Sequence, residues 1–499
     1  MRLTTIALTL ALPGITTGCA GLGSSLAAVP QPAAPLILVT PAANASPTPT
    51  PFQPPQVEQG APTSLYHIQV PTLEPFFPTA TADFASARTL PSVDLDSLFP
   101  TAAAPPPPFV AADAPERAAL LSDPEAVSFL LVGSDKRSGG SFRTDTLVVV
   151  VLWPQHKQVS MISIPRDLWT YIPEVGMQRI NTAYQSGEVE GYSGGGPALL
   201  RDTIAYNLGI RVDHMALVDF DGFRRIVNTL GGVDVPVACP YTDWRLIDPS
   251  LNPEDEQNWG LFTVEPGVDH MDGELALWYV RSRLKSSDFD RGRRQQEMLR
   301  AIFARALRTE TLTRVPELYS DFSQAVVTDL GLGDILKLAL YAPTLSEASI
   351  RSYRIEPPSV NLWVTPAGAS VLLPDAEALQ GLLRQATSPS AAAVEREAIS
   401  VEIQNGTALA GMDDLATSRL GYAGYTAHIS PADRQDYGSS VLVDLTQDQD
   451  PGRRSALLDV LGIPSAAIVP SAGGQTGAQY RVVLGYDYEP CFEPQDLLH

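Results

Sequence analysis

Residues 127–135 read VSFLLVGSD, residues 146–153 read TLVVVVLW and residues 158–165 read QVSMISIP. Each run is apolar and rich in β-branched residues, and turn residues separate one from the next. The three are therefore read as consecutive β-strands. Unbroken apolar runs imply strands covered on both faces. Further along, PALLRDTIAYNLG (197–209) puts Leu199, Leu200, Thr203 and Ile204 at helical spacing and stops at Gly209. MALVDF (215–220) reads as a strand, DGFRRIVNTLGG (221–232) as a short helix ending in glycine, and VDVPV (233–237) as a strand. Strands alternating with helices make one large α/β domain over residues 119–387.

The chain has 499 residues, enough for two or three domains. SPSAAAVERE (388–397) reads as a short linker, and 398–499 as a small second α/β unit holding no cluster of His, Cys or carboxylates. Upstream, 27–118 is dominated by Pro, Ala, Thr and Ser, as in PAANASPTPTPFQPPQ, and is expected to be an unstructured tether. Fully extended at about 3.1 Å per residue it would span roughly 280 Å. Residues 1–26 give one early positive charge, a short apolar run and small residues around Cys19, the pattern of an export signal. TTGC (16–19) resembles a lipobox with Thr16 in place of the usual aliphatic residue, so lipidation of Cys19, plain secretion and an uncleaved anchor all stay open. No stretch reaches the roughly 20 apolar residues of a spanning helix. Cys239 and Cys491 lie far apart in sequence and are expected to be isolated thiols.

The formal net charge is -22, which argues against a nucleic-acid partner, since phosphate neutralisation needs a basic face. Yet RSRLKSSDFDRGRRQQ (281–296) carries five arginines and a lysine. Read as a strand, ALWYVRSR (276–283) points Arg281 and Arg283 the same way. The helix that follows, from DRGRRQQ onward, puts Arg291 and Gln295 on one face near its amino end, where free N–H groups favour anions. This grouping suits a phosphate, matched by the guanidinium fork. A solvated basic face paired with Asp288, Asp290 and Glu297 accounts for the segment equally well. GSDKRSGGSFRTDT (133–146) adds Asp135 and Asp145, with Arg143 between them, and SIPRDLW (163–169) adds Arg166 and Asp167. Carboxylates flanking a glycine loop suit magnesium, or simply a turn. Because ligands bind beyond strand ends in α/β sheets, these segments are expected to converge.

GSDKR…FRTDT, SIPRD, RINTAY, VDFDGF, LGGVDV, MDGELALWYVRSR and DFDRGRRQQ, in this order, resemble the LytR-CpsA-Psr family of cell-wall glycopolymer transferases. The C-terminal unit resembles a small domain often appended to that family. The resemblance implies an α/β fold with a central mixed β-sheet flanked by helices, and a small C-terminal α/β domain. It implies transfer of a phosphoglycan from a polyprenyl pyrophosphate carrier to a peptidoglycan hydroxyl, outside the cytoplasm and tethered to the membrane. On the matching positions, Asp135 and Asp145 would hold Mg2+, while Arg143, Arg166, Arg281, Arg283, Arg291 and Gln295 would bind the pyrophosphate. Asp288 would act as base. Arg179 stands where the family has lysine. A non-catalytic lipid-carrier or wall-binding protein and a polyprenyl pyrophosphate phosphatase are the alternatives.

Overall fold

The apolar runs of 127–164 and the helical stripe of 197–209 find the partners that their periodicity calls for. The structure, a computed structural model, describes residues 124–135, 144–284, 287–308, 319, 322–323, 325–446, 450–463, 466–470 and 477–491. The signal segment 1–26, the tether 27–118 and Arg143 lie outside the described residues. In the strands of the main sheet, β1 (Val127–Ser134), β2 (Thr144–Trp153) and β3 (Gln158–Ile164) are the three expected runs, joined by β4 (His214–Asp219), β5 (Val326–Thr328) and β6 (Ile350–Arg354). The order is β5-β4-β1-β2-β3-β6. β1 pairs antiparallel with β2, and β2 with β3, while β1–β4 and β3–β6 are parallel, so the sheet is mixed.

Period two divides the sheet's side chains cleanly. Leu130 and Val132 of β1 and Leu147, Val149 and Val151 of β2 enter one core together with Leu199, Leu200 and Ile204. Those three belong to the expected helix, Gly195–Leu208. The opposite positions, Phe129, Leu131, Val148, Val150 and Leu152, enter a second core that Leu299 and Phe303 close from the other side.

Among the described residues, the helices of eight or more residues before β5 are α1 (Ala183–Glu190), α2 (Gly195–Leu208), α3 (Phe220–Thr229), α4 (Gly273–Arg281) and α5 (Asp288–Ala306). They are followed by α6 (Leu332–Ala339) and α7 (Ala376–Ala386), then the shorter α8 (Ala391–Glu397). Segment 276–281 is thus the end of α4, not a strand. Asp272 caps it by accepting from Leu275 N at 2.8 Å, and Ala276, Leu277 and Val280 bury on one side. Segment 388–397 is not an extended linker either, since Ser390 caps α8 and Gln158 clamps Ser390 through two bonds of 2.8 and 2.9 Å.

Beyond α8, strands β7 (Ser400–Asn405), β8 (Thr426–Ile429), β9 (Val441–Asp444), β10 (Ala467–Pro470) and β11 (Tyr480–Leu484) form a second sheet in the order β8-β7-β11-β9-β10. Helices α9 (Met412–Tyr422) and α10 (Pro451–Leu461) cover it. Cys239 and Cys491 are not isolated thiols. They form a disulfide across 252 residues, a pairing that sequence spacing could not reveal because the chain end has to return to the loop after VDVPV. Closing so long a loop removes roughly 5 kcal/mol of unfolded-state entropy in the chain-entropy picture. Among the described residues no helix is long and apolar enough to cross a membrane.

Candidate functional site

Because β1, β3, β4 and β6 point one way and β2 the other, the carboxyl ends of four strands and the amino end of β2 share one edge. Across that edge Ser134 faces Asp219, and Ser163 faces Arg354. A cleft opens there, lined by Asp145, Arg166, Asp288, Arg291, Gln295 and Arg354, among others. The position beyond strand ends is where open α/β sheets take ligands. The expected convergence of Asp145, Arg166 and the start of α5 is what the chain builds.

The cleft holds interlocked ion pairs. Arg166 donates to Asp145 Oδ1 at 2.8 Å, and its Nε lies 3.4 Å from Asp167 and 3.3 Å from Asp288. Asp288 also lies 3.2 Å from Arg291 Nη1 and 4.0 Å from Arg283 Nε. It is the hub that three guanidiniums share. Burial disfavours the charged form of Arg166, but the Asp145 bond and the charges of Asp288, Asp145 and Asp167 outweigh it, and the guanidinium is held above its ordinary range. Arg291 goes the other way. It is 5% exposed, and burial, aided by the repulsion of Arg283 and Arg166 and opposed by Asp288, brings it down to about 10. Burial is the largest cause of that fall, and the attraction of Asp288 outweighs the repulsion of either arginine taken singly.

α5 is aimed at this edge by a side chain that sequence reasoning passed over. Buried Gln296 donates to Ser163 Oγ and to the Tyr353 carbonyl, both at 2.8 Å, which pins the helix to the ends of β3 and β6. Ser287 caps α5 by accepting from Asp290 N. Gln295, one turn from Arg291, lines the cleft and contacts the Val280 carbonyl at 3.4 Å.

Arg283 is placed by its backbone. Its N–H and that of Leu284 both donate to Asp243 Oδ2, at 2.7 and 3.0 Å. Arg281, at the exposed end of α4, lies over the Phe220 ring at 4.0 Å, beside the β4 strand end rather than in the ion-pair hub. Asp135 directly follows β1 and is half-buried. Asp135 and Asp145 offer hard oxygens at adjoining strand ends, the donors magnesium takes when phosphate oxygens complete its shell. Among the described residues no group of three or more His, Cys, Asp or Glu side chains could hold a metal ion unaided.

The rest of the arginine island is structural, and not a solvated face. Arg293 bridges Asp290 and Glu297 at 2.7 and 2.6 Å. Arg294, 1% exposed, donates to the carbonyls of Tyr279 and Ser282 and stacks 4.0 Å over Tyr241. Two cleft residues were not anticipated. Arg354, the last residue of β6, pairs with Glu356 at 3.0 Å, and both line the cleft. Arg179 reaches Asp167 at 3.3 Å and the Ser370 carbonyl at 2.8 Å, steadying the carboxylate beside Arg166.

Residues 110–387 match the LytR_cpsA_psr family. The chain belongs to that family. Its relatives include the polyisoprenyl-teichoic acid–peptidoglycan teichoic acid transferase TagU of Oceanobacillus iheyensis, 30% identical over 221 residues, which are 44% of this chain and 63% of that protein. The probable cell wall biosynthesis protein LcpB of Corynebacterium glutamicum is 30% identical over 282 residues, covering 51% of this chain and 62% of that one. The chain thus spans less than two thirds of either relative's length. Among solved structures, B. subtilis TagV is 27% identical, with a TM-score of 0.44, covering 53% of this chain and 96% of that one.

Proposed function

We propose that this chain transfers a phosphoglycan polymer from a polyprenyl pyrophosphate carrier to a peptidoglycan hydroxyl. The observation that carries the reading is the convergence, in an acidic chain, of the Arg166, Arg283 and Arg291 guanidiniums on Asp288 at the strand-end cleft. A pyrophosphate is the compact polyanion that would offset that charge. Membership of a family with a named teichoic acid transferase supports the same substrate class.

In this reading Arg166, Arg283 and Arg291 hold the phosphate oxygens and stabilise the charge that builds on the leaving group, with Gln295 donating from the next turn. Arg281 secures the outer phosphate or the first sugar. The acceptor oxygen attacks the glycan-bearing phosphorus, the bond to the bridging oxygen breaks, and polyprenyl phosphate leaves. Asp288 receives the acceptor's proton. Magnesium bound by Asp135 and Asp145 would neutralise charge on the pyrophosphate. The Cys239–Cys491 disulfide supports an oxidising compartment, outside the cytoplasm, and the leader and Pro-rich segment support a tether to the outer membrane face.

The test is to incubate the full chain with a polyprenyl pyrophosphate-linked glycan, magnesium and peptidoglycan, with and without chelator. Chelator-sensitive release of polyprenyl phosphate with glycan appearing on the wall is expected. Binding without release would overturn the enzymatic reading, and release with water as the sole acceptor would make the protein a phosphatase.

A further inference from the structure

α5 runs from the cleft to a second cavity. Arg291 stands at the cleft, and Arg305, fourteen residues later, lies about 20 Å along the helix axis at 1.5 Å per residue. This second cavity, of about 260 Å³, is lined by Arg305, Arg308 and Asp234 near the end of α5, and by Asp414 and Tyr422 of α9 with Glu347 beside them.

Its charges are sorted by position. Arg305 is fixed by donation to the Leu230 carbonyl at 2.9 Å, and Arg308 by Asp234 at 3.1 Å, which itself pairs with His270 at 2.7 Å. That side presents two guanidiniums and one carboxylate, Asp234, which offsets part of their charge. The other presents two carboxyls, Asp414 and Glu347, for which no cation within ion-pair distance is found among the described residues. Both are raised above the ordinary carboxyl range, Glu347 by burial against the pull of Arg300, and Asp414 by burial and its neighbour Asp413. Gly421 admits the Glu347 carboxylate to the α9 wall, since a Cβ there would come within 3.2 Å of Glu347 Oε2.

Two guanidiniums and two carboxyls with no ion-pair partner among the described residues, lining one cavity from different elements, fit a group that carries both an ammonium and a carboxylate. We infer that this cavity binds the peptide portion of the peptidoglycan acceptor, a zwitterionic peptide whose ammonium meets Asp414 and Glu347 and whose carboxylate meets Arg305 and Arg308. The inference rests on the transferase reading and extends it, because a wall strand gripped by its peptide at one end of α5 would offer its sugar hydroxyl at the other. It gives the C-terminal unit a role, acceptor recognition, that the cleft does not require.

The experiment titrates the full chain calorimetrically with three probes: a soluble disaccharide–peptide, the same disaccharide without peptide, and the free peptide. The variants are Asp414→Asn and Arg308→Ala, both on exposed side chains, and cleavage of polyprenyl pyrophosphate glycan in water is measured in parallel. The disaccharide–peptide and the free peptide are expected to bind, and the bare disaccharide not. Each variant should bind at least tenfold more weakly, as expected for loss of a charge-assisted bond, while cleavage stays within twofold of the parent. Equal binding by both variants, or equal binding of the peptide-free disaccharide, overturns the inference. Absence of cleavage by the parent protein bears on the transferase reading alone, because the titrations are read independently.

Discussion

Arg291 keeps its charge against burial, and this sets how the site responds to pH. Its folded pKa, about 10, lies below the ordinary arginine value. The folded state therefore holds that proton less well than the unfolded chain, and stability gained from this group appears as pH rises from about 10 toward the ordinary arginine range and is lost as pH falls back through about 10. A bound phosphate reverses the balance by favouring the charged form. Pyrophosphate affinity, measured by calorimetry, should fall as pH rises through about 10 in the parent protein. Arg291→Gln should bind at least tenfold more weakly near neutral pH and show no matching further loss. Identical pH curves for the two proteins would remove Arg291 from the site. At this scale the sequence was only partly legible: Arg166, Asp145, Asp288 and Arg291 could be picked out from strand ends and a helix start. Gln296 could not, because nothing in its neighbours distinguishes a buried amide that pins a helix from a solvated one.

The α4–α5 hairpin shows where reading elements from a single sequence breaks down. ALWYVRSR alternates well enough to pass for a strand, yet MDGEL upstream carries a helix signal, an Asp cap followed by Glu and good helix formers. Gly273 adds a tertiary reason, since a Cβ there would sit 2.5 Å from the Arg224 carbonyl oxygen, so α4 packs closely on α3 only with glycine at that point. The strands β1 to β3 were legible because nothing else accommodates such long apolar runs. The island's division into cleft and structural arginines was not, because it depends on which face of α5 meets α4. Arg294 satisfies two carbonyls at the end of α4 and is almost wholly buried. Arg294→Ala should lower unfolding free energy by about 3 kcal/mol or more, the cost of stranding buried polar partners, measured by urea denaturation. A loss below about 1 kcal/mol would mean that the hairpin is held by its apolar contacts alone.

Across the whole molecule, the main sheet supplies an edge where strand ends meet, and α5 connects that edge to the C-terminal unit. The covalent tie between Cys239 and Cys491 holds the last described residue beside the loop leading into Tyr241–Leu246, the strand that carries Asp243, the anchor of Arg283. The chain is acidic, yet Arg166, Arg283 and Arg291 gather at one edge, the placement that the proposed polyanionic substrate calls for. The most direct measurement is release of polyprenyl phosphate from a polyprenyl pyrophosphate-linked glycan, comparing the full-length parent with Arg166→Ala after both are shown to have the same circular dichroism and melting cooperativity. The account predicts a loss of at least about 100-fold in kcat/KM, the scale seen when one donor to a developing anion is removed. Parental turnover by the folded variant would contradict it.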